Sequence, residues 1–315
     1  MKSGPEMMRH LIDKILEDEL PYRDSVVIGD NSSGKTMLLK LLVENVKGNS
    51  PVYFIDAVNR GFDVKKISRT DRKPEYKKTI LETRLQEAYF NLVDSFNCFG
   101  TLTERIEIIY RLYEKETQEL FYELTNDRFQ VIYDNPIGEV DFGNGQGLLS
   151  SGYQAIIRIL LELLYYQEME IEKNSLHSAW LVIDELDEYL SPRYCAAIMN
   201  FLRKKFPWGR WIITTHSCDL VANTNDSNLI ILDSGNCEVI DINDYSSVSE
   251  VQIIFDRVFG SREGSKSETE NVLRRLLNNR MNRGWGEQDE VCLEQIEKRK
   301  LTASQQLIVR QIREW

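Results

Sequence analysis

Ser25-Val26-Val27-Ile28-Gly29-Asp30-Asn31-Ser32-Ser33-Gly34-Lys35-Thr36 is an apolar, β-branched run that breaks into a glycine-bounded loop and ends on a lysine and a threonine. The run Ser25–Ile28 predicts a short buried strand. From Lys35 to Val46, Met37, Leu38, Leu41 and Leu42 fall at helical spacing. The loop between them fits G-x-x-x-x-G-K-[ST] at every position. Such a loop closes its backbone N–H groups around phosphate oxygens: glycines permit the dihedrals, and the next helix offers its positive N-terminal end. Gly29, Asp30, Asn31, Ser32, Ser33, Gly34, Lys35 and Thr36 are therefore the expected phosphate-binding residues. Lys35 is expected to reach the β- and γ-phosphates and the Thr36 hydroxyl to ligate Mg²⁺. A chance match in a surface loop would lack the flanking strand and helix. A second strand is expected at Val52 to Ile55, and the strand–loop–helix–strand order opens a parallel α/β sheet.

Downstream, Leu181-Val182-Ile183-Asp184-Glu185 reads as a buried strand ending in two carboxylates. Parallel strands present their C-terminal ends to the ligand crevice, which places Asp184 to hold Mg²⁺ and its water shell. Glu185, one step further, suits a general base that polarises the attacking water. Two acids after a strand are commonly a polar turn; the lysine loop upstream gives the pair its meaning.

Between these motifs lies Leu149-Ser150-Ser151-Gly152-Tyr153-Gln154, followed by an apolar helix. Serine and glycine at a helix N-terminus can donate to an anion; the plainer reading is an N-cap by Ser150 or Ser151. Trp211-Ile212-Ile213-Thr214-Thr215-His216-Ser217 is a strand ending in one of only three histidines. A lone histidine there is more often a satisfied structural residue, so its meaning depends on its neighbours.

The four pieces in this order resemble the ABC-type ATPase superfamily over residues 25 to 220. The lysine loop matches Walker A, LSSGYQ the LSGGQ-like signature, LVIDE Walker B, and IITTHS the strand that ends in the switch histidine. The resemblance implies ATP as ligand, with Mg²⁺, and a site completed across a dimer. Ser150 and Gly152 would contact the γ-phosphate bound to the other subunit's Lys35 loop, and His216 would sense that phosphate. Catalytic roles thus fall to Glu185, His216 and Lys35, and metal ligation to Thr36 and Asp184.

Departures narrow the type. Only Tyr22 stands upstream as a candidate adenine-stacking aromatic, and a packing role for it is favoured. Gln86 is the nearest candidate for the family's glutamine, although it lies inside a helical pattern. Leu186-Asp187-Glu188-Tyr189-Leu190-Ser191-Pro192 looks less like the transporter loop than the D-E-P-E-x-x-L-H-P style of stand-alone relatives. Those include the overcoming-lysogenization-defect nucleases and the ATPases of anti-phage defence. The region 247–315 shows no strand-borne acidic cluster of the topoisomerase–primase type, so an effector is expected to be a separate protein.

The rest of the chain bounds this reading. The expected fold class is α/β, a P-loop ABC-type core with a short helical insertion and a helical C-terminal region. Residues 1–65 would form the N-terminal helix and first part of the nucleotide-binding lobe, 66–128 the insertion, 129–246 the second part of the lobe, and 247–315 the helical end. The N-terminal helix is expected from Glu6 to Leu20. Two or three helices are expected through ILETRLQEAYFNLVDSF and TLTERIEIIYRLYEKETQELFYEL. A hairpin is expected over Phe129–Tyr133 and Glu139–Phe142, then a glycine-rich stretch and a helix from Tyr153 to Glu168. Further strands are expected at Ala179–Ile183, Trp211–Thr214, Leu229–Leu232 and Glu238–Ile240. Ser267 with Glu270 and Thr302 with Gln305 read as capping boxes.

Five scattered cysteines without a C-x-x-C pair argue against a disulfide framework and a zinc site. No run of about 18 apolar residues predicts a membrane helix, and the first residues lack the pattern of a signal peptide. A cytoplasmic protein with no membrane partner is expected. The net charge of −11 disfavours non-specific DNA binding. Nucleic acid stays open as a partner because Arg203-Lys204-Lys205-Phe206-Pro207-Trp208-Gly209-Arg210 mixes basic and aromatic residues, although a solvated helix end is the simpler account. The leading expectation is an ATPase working as a homodimer or higher oligomer through ATP-mediated contacts, regulating an effector, with phage defence as a setting. The alternatives are a transporter's nucleotide-binding subunit, a DNA-repair or chromosome-structure ATPase, and an ATP-dependent clamp with negligible turnover.

Overall fold

The computed structural model describes residues 4–46, 50–58, 60–67, 79–86, 90, 105–174, 176–233, 236–245 and 247–259, then 272–273, 276–277, 280, 285–298, 301, 308–310 and 312–313. The chain divides into two compact units, Met1–Val258 and Phe259–Trp315.

Helix α1 (Gly4–Leu16) opens the first unit. It stops short of the expected Leu20 because Asp18 takes a left-handed φ of 57°. Arg210 Nη2 donates to the Ile15 carbonyl at 2.7 Å, satisfying one acceptor of the last turn. Strand β1 (Asp24–Gly29), helix α2 (Lys35–Val46) and strand β2 (Val52–Ile55) follow as the apolar runs predict.

Between β2 and the small strands, α3 (Thr79–Leu85) and α4 (Glu114–Thr125) flank 3-10 turns at Ile106–Ile108 and Tyr110–Leu112. Of the run read as helix through 101–124, residues 101–104 lie outside the described residues, and from 105 onward the α-helix begins at Glu114. The run's first half is rich in β-branched isoleucine, which lowers helix propensity. The tighter turns leave Ile106, Ile109 and Tyr110 all buried.

The expected hairpin is present as β3 (Gln130–Val131) and β4 (Val140–Asp141), which pair antiparallel. A third strand, β5 (Gln146–Gly147), adds to β4 from within the glycine-rich stretch. Helix α5 (Ser151–Tyr166) then runs into a π-helical turn at Gln167–Glu172. It is buried nearly all round, which marks it as an interior element rather than a surface helix.

Next come β6 (Ala179–Ile183), α6 (Pro192–Lys205), β7 (Gly209–Thr214), α7 (Cys218–Asn223), β8 (Ser227–Asp233), β9 (Asn236–Asp241) and α8 (Val248–Phe259). At the start of α8, Ser247 and Glu250 form a reciprocal capping box that the sequence reading did not single out.

The main sheet has the order β2-β6-β7-β1-β8-β9. All its pairings are parallel except β8 with β9. This order sets β7 between β1 and β6. Val27 of β1 pairs with Thr214 of β7, and Ile183 of β6 pairs with Ile213. The C-terminal ends of these three strands therefore share one edge of the sheet. Leu11, Ile12 and Ile15 of α1 join Leu38, Leu42 and Val43 of α2 and Phe54, Val182 and Ile212 of the sheet in one core. Each such side chain contributes about 1.5–3 kcal/mol when fully buried, enough to hold α1 in place by three contacts.

In the second unit, α9 (Glu287–Glu297) contributes Leu293 and Ile296 to a small core with Leu273, Leu276, Val309 and Ile312. Arg313 pairs with both Glu290 and Glu297. The capping boxes expected at Ser267–Glu270 and Thr302–Gln305 lie outside the described residues. Among the described residues, no helix is long and apolar enough to cross a membrane.

Candidate functional site

The loop Gly29–Thr36 leaves β1 and enters α2, so it sits on the sheet edge where β6 and β7 also end. Ser32 and Gly34 both take left-handed φ, 65° and 99°. Gly34 needs no side chain to do so, and a Cβ there would lie 2.4 Å from Met8 Cε. Lys35 is only 6% exposed. Its Nζ donates to the carbonyls of Gly29 at 2.8 Å and Asp30 at 3.2 Å, curling the side chain back across the loop. Burial pulls its pKa down, opposed by the charges of Glu185 and Asp184.

The carboxylates arrive from β6. Thr36 Oγ1 donates to Asp184 Oδ2 at 2.8 Å, and Thr214 Oγ1 donates to Asp184 Oδ1 at 2.6 Å. The same Thr214 hydroxyl accepts from the Glu185 N–H at 2.7 Å. Glu185 has a left-handed φ of 50°, a conformation that costs a non-glycine residue energy and turns the chain sharply after Asp184. Burial, then the charges of Asp184 and Glu188, push the Glu185 carboxyl above the ordinary range.

His216 follows β7 and meets Glu185, with Nε2 at 3.7 Å from Oε1. Its N–H is held by the Asp187 carboxylate at 3.2 Å. Burial, then the Lys35 charge, lower its pKa, which favours the neutral imidazole at pH 7. Lys35, Thr36, Asp184, Glu185 and His216 are thus brought to one place from three strands.

Ser150 and Gly152 stand at the N-terminus of α5. Ser150 caps α5, its Oγ accepting from the Tyr153 N–H at 3.2 Å, and its side chain is exposed. Among the described residues, no hydrogen bond joins Leu149–Gln154 to Gly29–Thr36. Gly152 is buried against the loop that follows Glu185: a Cβ there would stand 2.9 Å from the Tyr189 carbonyl. Tyr189 itself has φ 64° and is 57% exposed.

Two oxygen donors and one orphan atom describe what this site suits. The Thr36 hydroxyl and the Asp184 carboxylate are hard ligands, and among the described residues no cluster of three or more His, Cys, Asp or Glu could enclose a metal. A cation held there would take its remaining ligands from phosphate and water, which is the habit of Mg²⁺. Ser33 Oγ is buried inside the loop without a hydrogen-bond partner. A buried polar atom of this kind is costly unless a ligand satisfies it.

Other sequence candidates fall away from this edge. Tyr22 OH donates to Asp241 Oδ2 at 2.7 Å, and its N–H donates to Asn228 Oδ1 at 3.2 Å. It stands before β1, whereas the loop follows β1, about 3.3 Å per residue further along. Packing is what Tyr22 does. Gln86 is exposed in the bend that ends α3. In the basic stretch, Arg203 is engaged by Asp24 and by the carbonyls of Asn225 and Asp226. Arg210 lies 3.8 Å from the Trp180 ring centroid and pairs with Asp18, so these cations close a helix end and a strand start.

Sequence reasoning passed over Thr214, Asp187 and Arg60. Thr214 was visible two places before His216, but nothing in a single sequence says that its hydroxyl bridges two strands. Arg60 donates Nη2 to the Asp184 carbonyl at 2.6 Å across 124 positions of sequence, and carries no local signal at all.

No protein-family model matches the chain. Septu protein PtuA of Bacillus thuringiensis is 28% identical over 155 residues, covering 48% of this chain and 34% of that protein. The chain therefore spans about a third of the length of the curated relative it matches. Among solved structures, an SMC ATPase described for ATP-driven dimerization has a TM-score of 0.33 and 15% identity, over 50% of this chain and 99% of that one. The SMC head domain from Thermotoga maritima has a TM-score of 0.31 and 15% identity, over 43% and 49%. An inward-facing metal-chelate type ABC transporter has a TM-score of 0.37 and 15% identity, over 76% and 79%.

Proposed function

We propose that the chain is an ABC-type ATPase that binds and hydrolyses Mg-ATP at Gly29–Thr36, in a site completed by Ser150 and Gly152 of a second copy. The observation that carries this reading is the continuous chain of bonds Thr36–Asp184–Thr214–Glu185 beside Lys35. The phosphate-loop hydroxyl of Thr36 bonds the metal-holding carboxylate directly, and Thr214 links that carboxylate to the backbone of the base. Mg²⁺, when bound, would neutralise charge building on the phosphates.

The chain's own residues account for the rest. Lys35 gives a buried cation to the β- and γ-phosphates. Glu185, made more basic by burial and by Asp184 and Glu188, takes the proton of the attacking water. Neutral His216, within reach of Glu185, donates toward the γ-phosphate as charge shifts on it. Ser150, exposed and unattached to its own loop, is free to meet a neighbour's nucleotide. The motif after Glu185 and the partial likeness to Septu protein PtuA support a stand-alone ATPase over a transporter subunit. On this reading the chain acts in the cytoplasm, controls a separate protein effector, and serves phage defence.

The test is the purified chain beside Lys35→Ala. The wild type should hydrolyse ATP with Mg²⁺, and the variant should lose both nucleotide affinity and turnover. Turnover retained at the wild-type rate by Lys35→Ala would end the assignment.

A further inference from the structure

Arg60 is a guanidinium enclosed in the protein interior, 2% exposed. Its Nη2 donates to the main-chain carbonyl of Asp184 at 2.6 Å. The next residue, Gly61, gives its carbonyl to Arg158 Nη1 of α5 at 3.2 Å. The residue after that, Phe62, donates its N–H to Gln154 Oε1 at 3.2 Å. Gln154 in turn donates Nε2 to the Leu149 carbonyl at 2.9 Å, immediately before Ser150. Three consecutive residues therefore tie the end of β6, which bears the metal-holding carboxylate, to the turn that bears Ser150 and Gly152.

The strap is anchored in a buried ionic cluster. Glu162 of α5 accepts from Arg84 Nη2 at 3.0 Å, from Arg158 Nε at 3.3 Å and from Tyr53 OH at 3.0 Å. Arg84 also pairs with Asp56 at 3.3 Å, just upstream of Arg60. Burying charges is expensive unless each is paired and hydrogen-bonded, so a cluster of this size fixes geometry more than it adds stability. Guanidinium suits the task, because its donors lie in one rigid plane and can hold a carbonyl and face carboxylates together.

We propose that Arg60–Gly61–Phe62 is a coupling strap, transmitting the state of Asp184 in a chain's own nucleotide site to the Leu149–Gly152 turn of the same chain, with Arg60 and Gln154 as its positioning residues. The inference rests on the ATPase reading given above. In the proposed dimer that turn faces the other nucleotide, so the strap links the two shared sites through the body of each subunit.

The test separates the strap from both the dimer and the ATPase reading. Amide hydrogen exchange is followed by mass spectrometry on the full chain carrying Ser150→Arg, at a concentration where light scattering shows a monomer. No second copy then protects the turn. Mg-ATP should slow exchange in Gly29–Thr36 and also in Leu149–Gln154. Allosteric links are commonly worth roughly 5- to 150-fold, so about fivefold slowing at the turn is expected. Arg60→Lys and Gln154→Leu should each abolish the response at the turn while leaving protection at the loop. If Arg60→Lys does not fold, Gln154→Leu, at a half-buried position, decides. A turn that ignores the nucleotide, or responds equally in the variants, overturns the strap. Protection at neither segment means that the nucleotide-binding reading has failed, and the strap falls with it.

Discussion

Thr214 holds Asp184 and Glu185 at once: its hydroxyl donates to the Asp184 carboxylate at 2.6 Å and accepts the Glu185 N–H at 2.7 Å. Because β7 lies between β1 and β6, Thr214 pairs with Val27 of the phosphate loop's strand through the ladder and reaches the acidic strand's end with its hydroxyl. It is fully buried, so neither bond competes with water.

Thr214→Val keeps the shape and removes the hydroxyl. The Glu185 N–H is left without its acceptor and Asp184 loses an orienting donor. A buried unmet group of this kind costs about 1–3 kcal/mol, so the melting temperature should drop. Turnover should also require more Mg²⁺ to saturate, with Thr214→Ser restoring both. A magnesium titration of ATPase activity, run beside thermal melting, checks this; wild-type behaviour in both would remove Thr214 from the site.

Glu185→Gln keeps size and hydrogen bonding but cannot accept the proton. ATP should still bind, while turnover falls on the order of 10²–10⁴-fold, the range of general-base contributions. The trapped state should be a more persistent dimer by light scattering. Normal turnover would show that another group is the base.

Much of this site was legible because local signals and chemistry coincide in it. Lys35–Val46 and Val52–Ile55 have the boundaries that their apolar spacing predicts, and Ala179–Ile183 does too. Each combines a strong local pattern with a buried face. Cys218–Asn223 passed unread because a six-residue helix has too few turns to show a period. The stretch before Glu114 misled because Ile106 and Ile109 sit at helical spacing yet are buried through 3-10 turns. Thr214 and Arg60 were silent for a different reason. Their partners are 30 and 124 positions away, and only the strand order brings them together.

His216→Ala should leave ATP affinity nearly unchanged and lower kcat, because the proposed donor matters as charge shifts on the γ-phosphate. Removing one such donor commonly costs on the order of 10²-fold. With burial and Lys35 favouring the neutral ring, the loss should reflect a missing donor rather than a missing cation. His216→Asn, a neutral donor, should therefore recover part of the rate. Steady-state kinetics with a separate binding titration gives the split, and an unchanged kcat in His216→Ala would return the residue to a structural role.

Ser150 sets the decisive question, which is whether each site is shared. Its hydroxyl caps α5, but its side chain is exposed, and no hydrogen bond ties its turn to the chain's own phosphate loop among the described residues. If it acts on a neighbour's nucleotide, two copies related by a two-fold axis build two sites, each with one loop and one turn. Ser150→Arg should then abolish hydrolysis while the folded chain still binds ATP through its own Lys35. Mixing Ser150→Arg with Lys35→Ala should restore part of the activity. In the mixed dimer, one site carries both lesions and the other pairs an intact loop with an intact turn. Neither homodimer offers such a site. The restored rate should rise with protein concentration, as mass action requires of a site built by association. Should the mixture stay inactive although mixed dimers are demonstrated, the site is not completed in trans, and Ser150 is left as the cap of its helix.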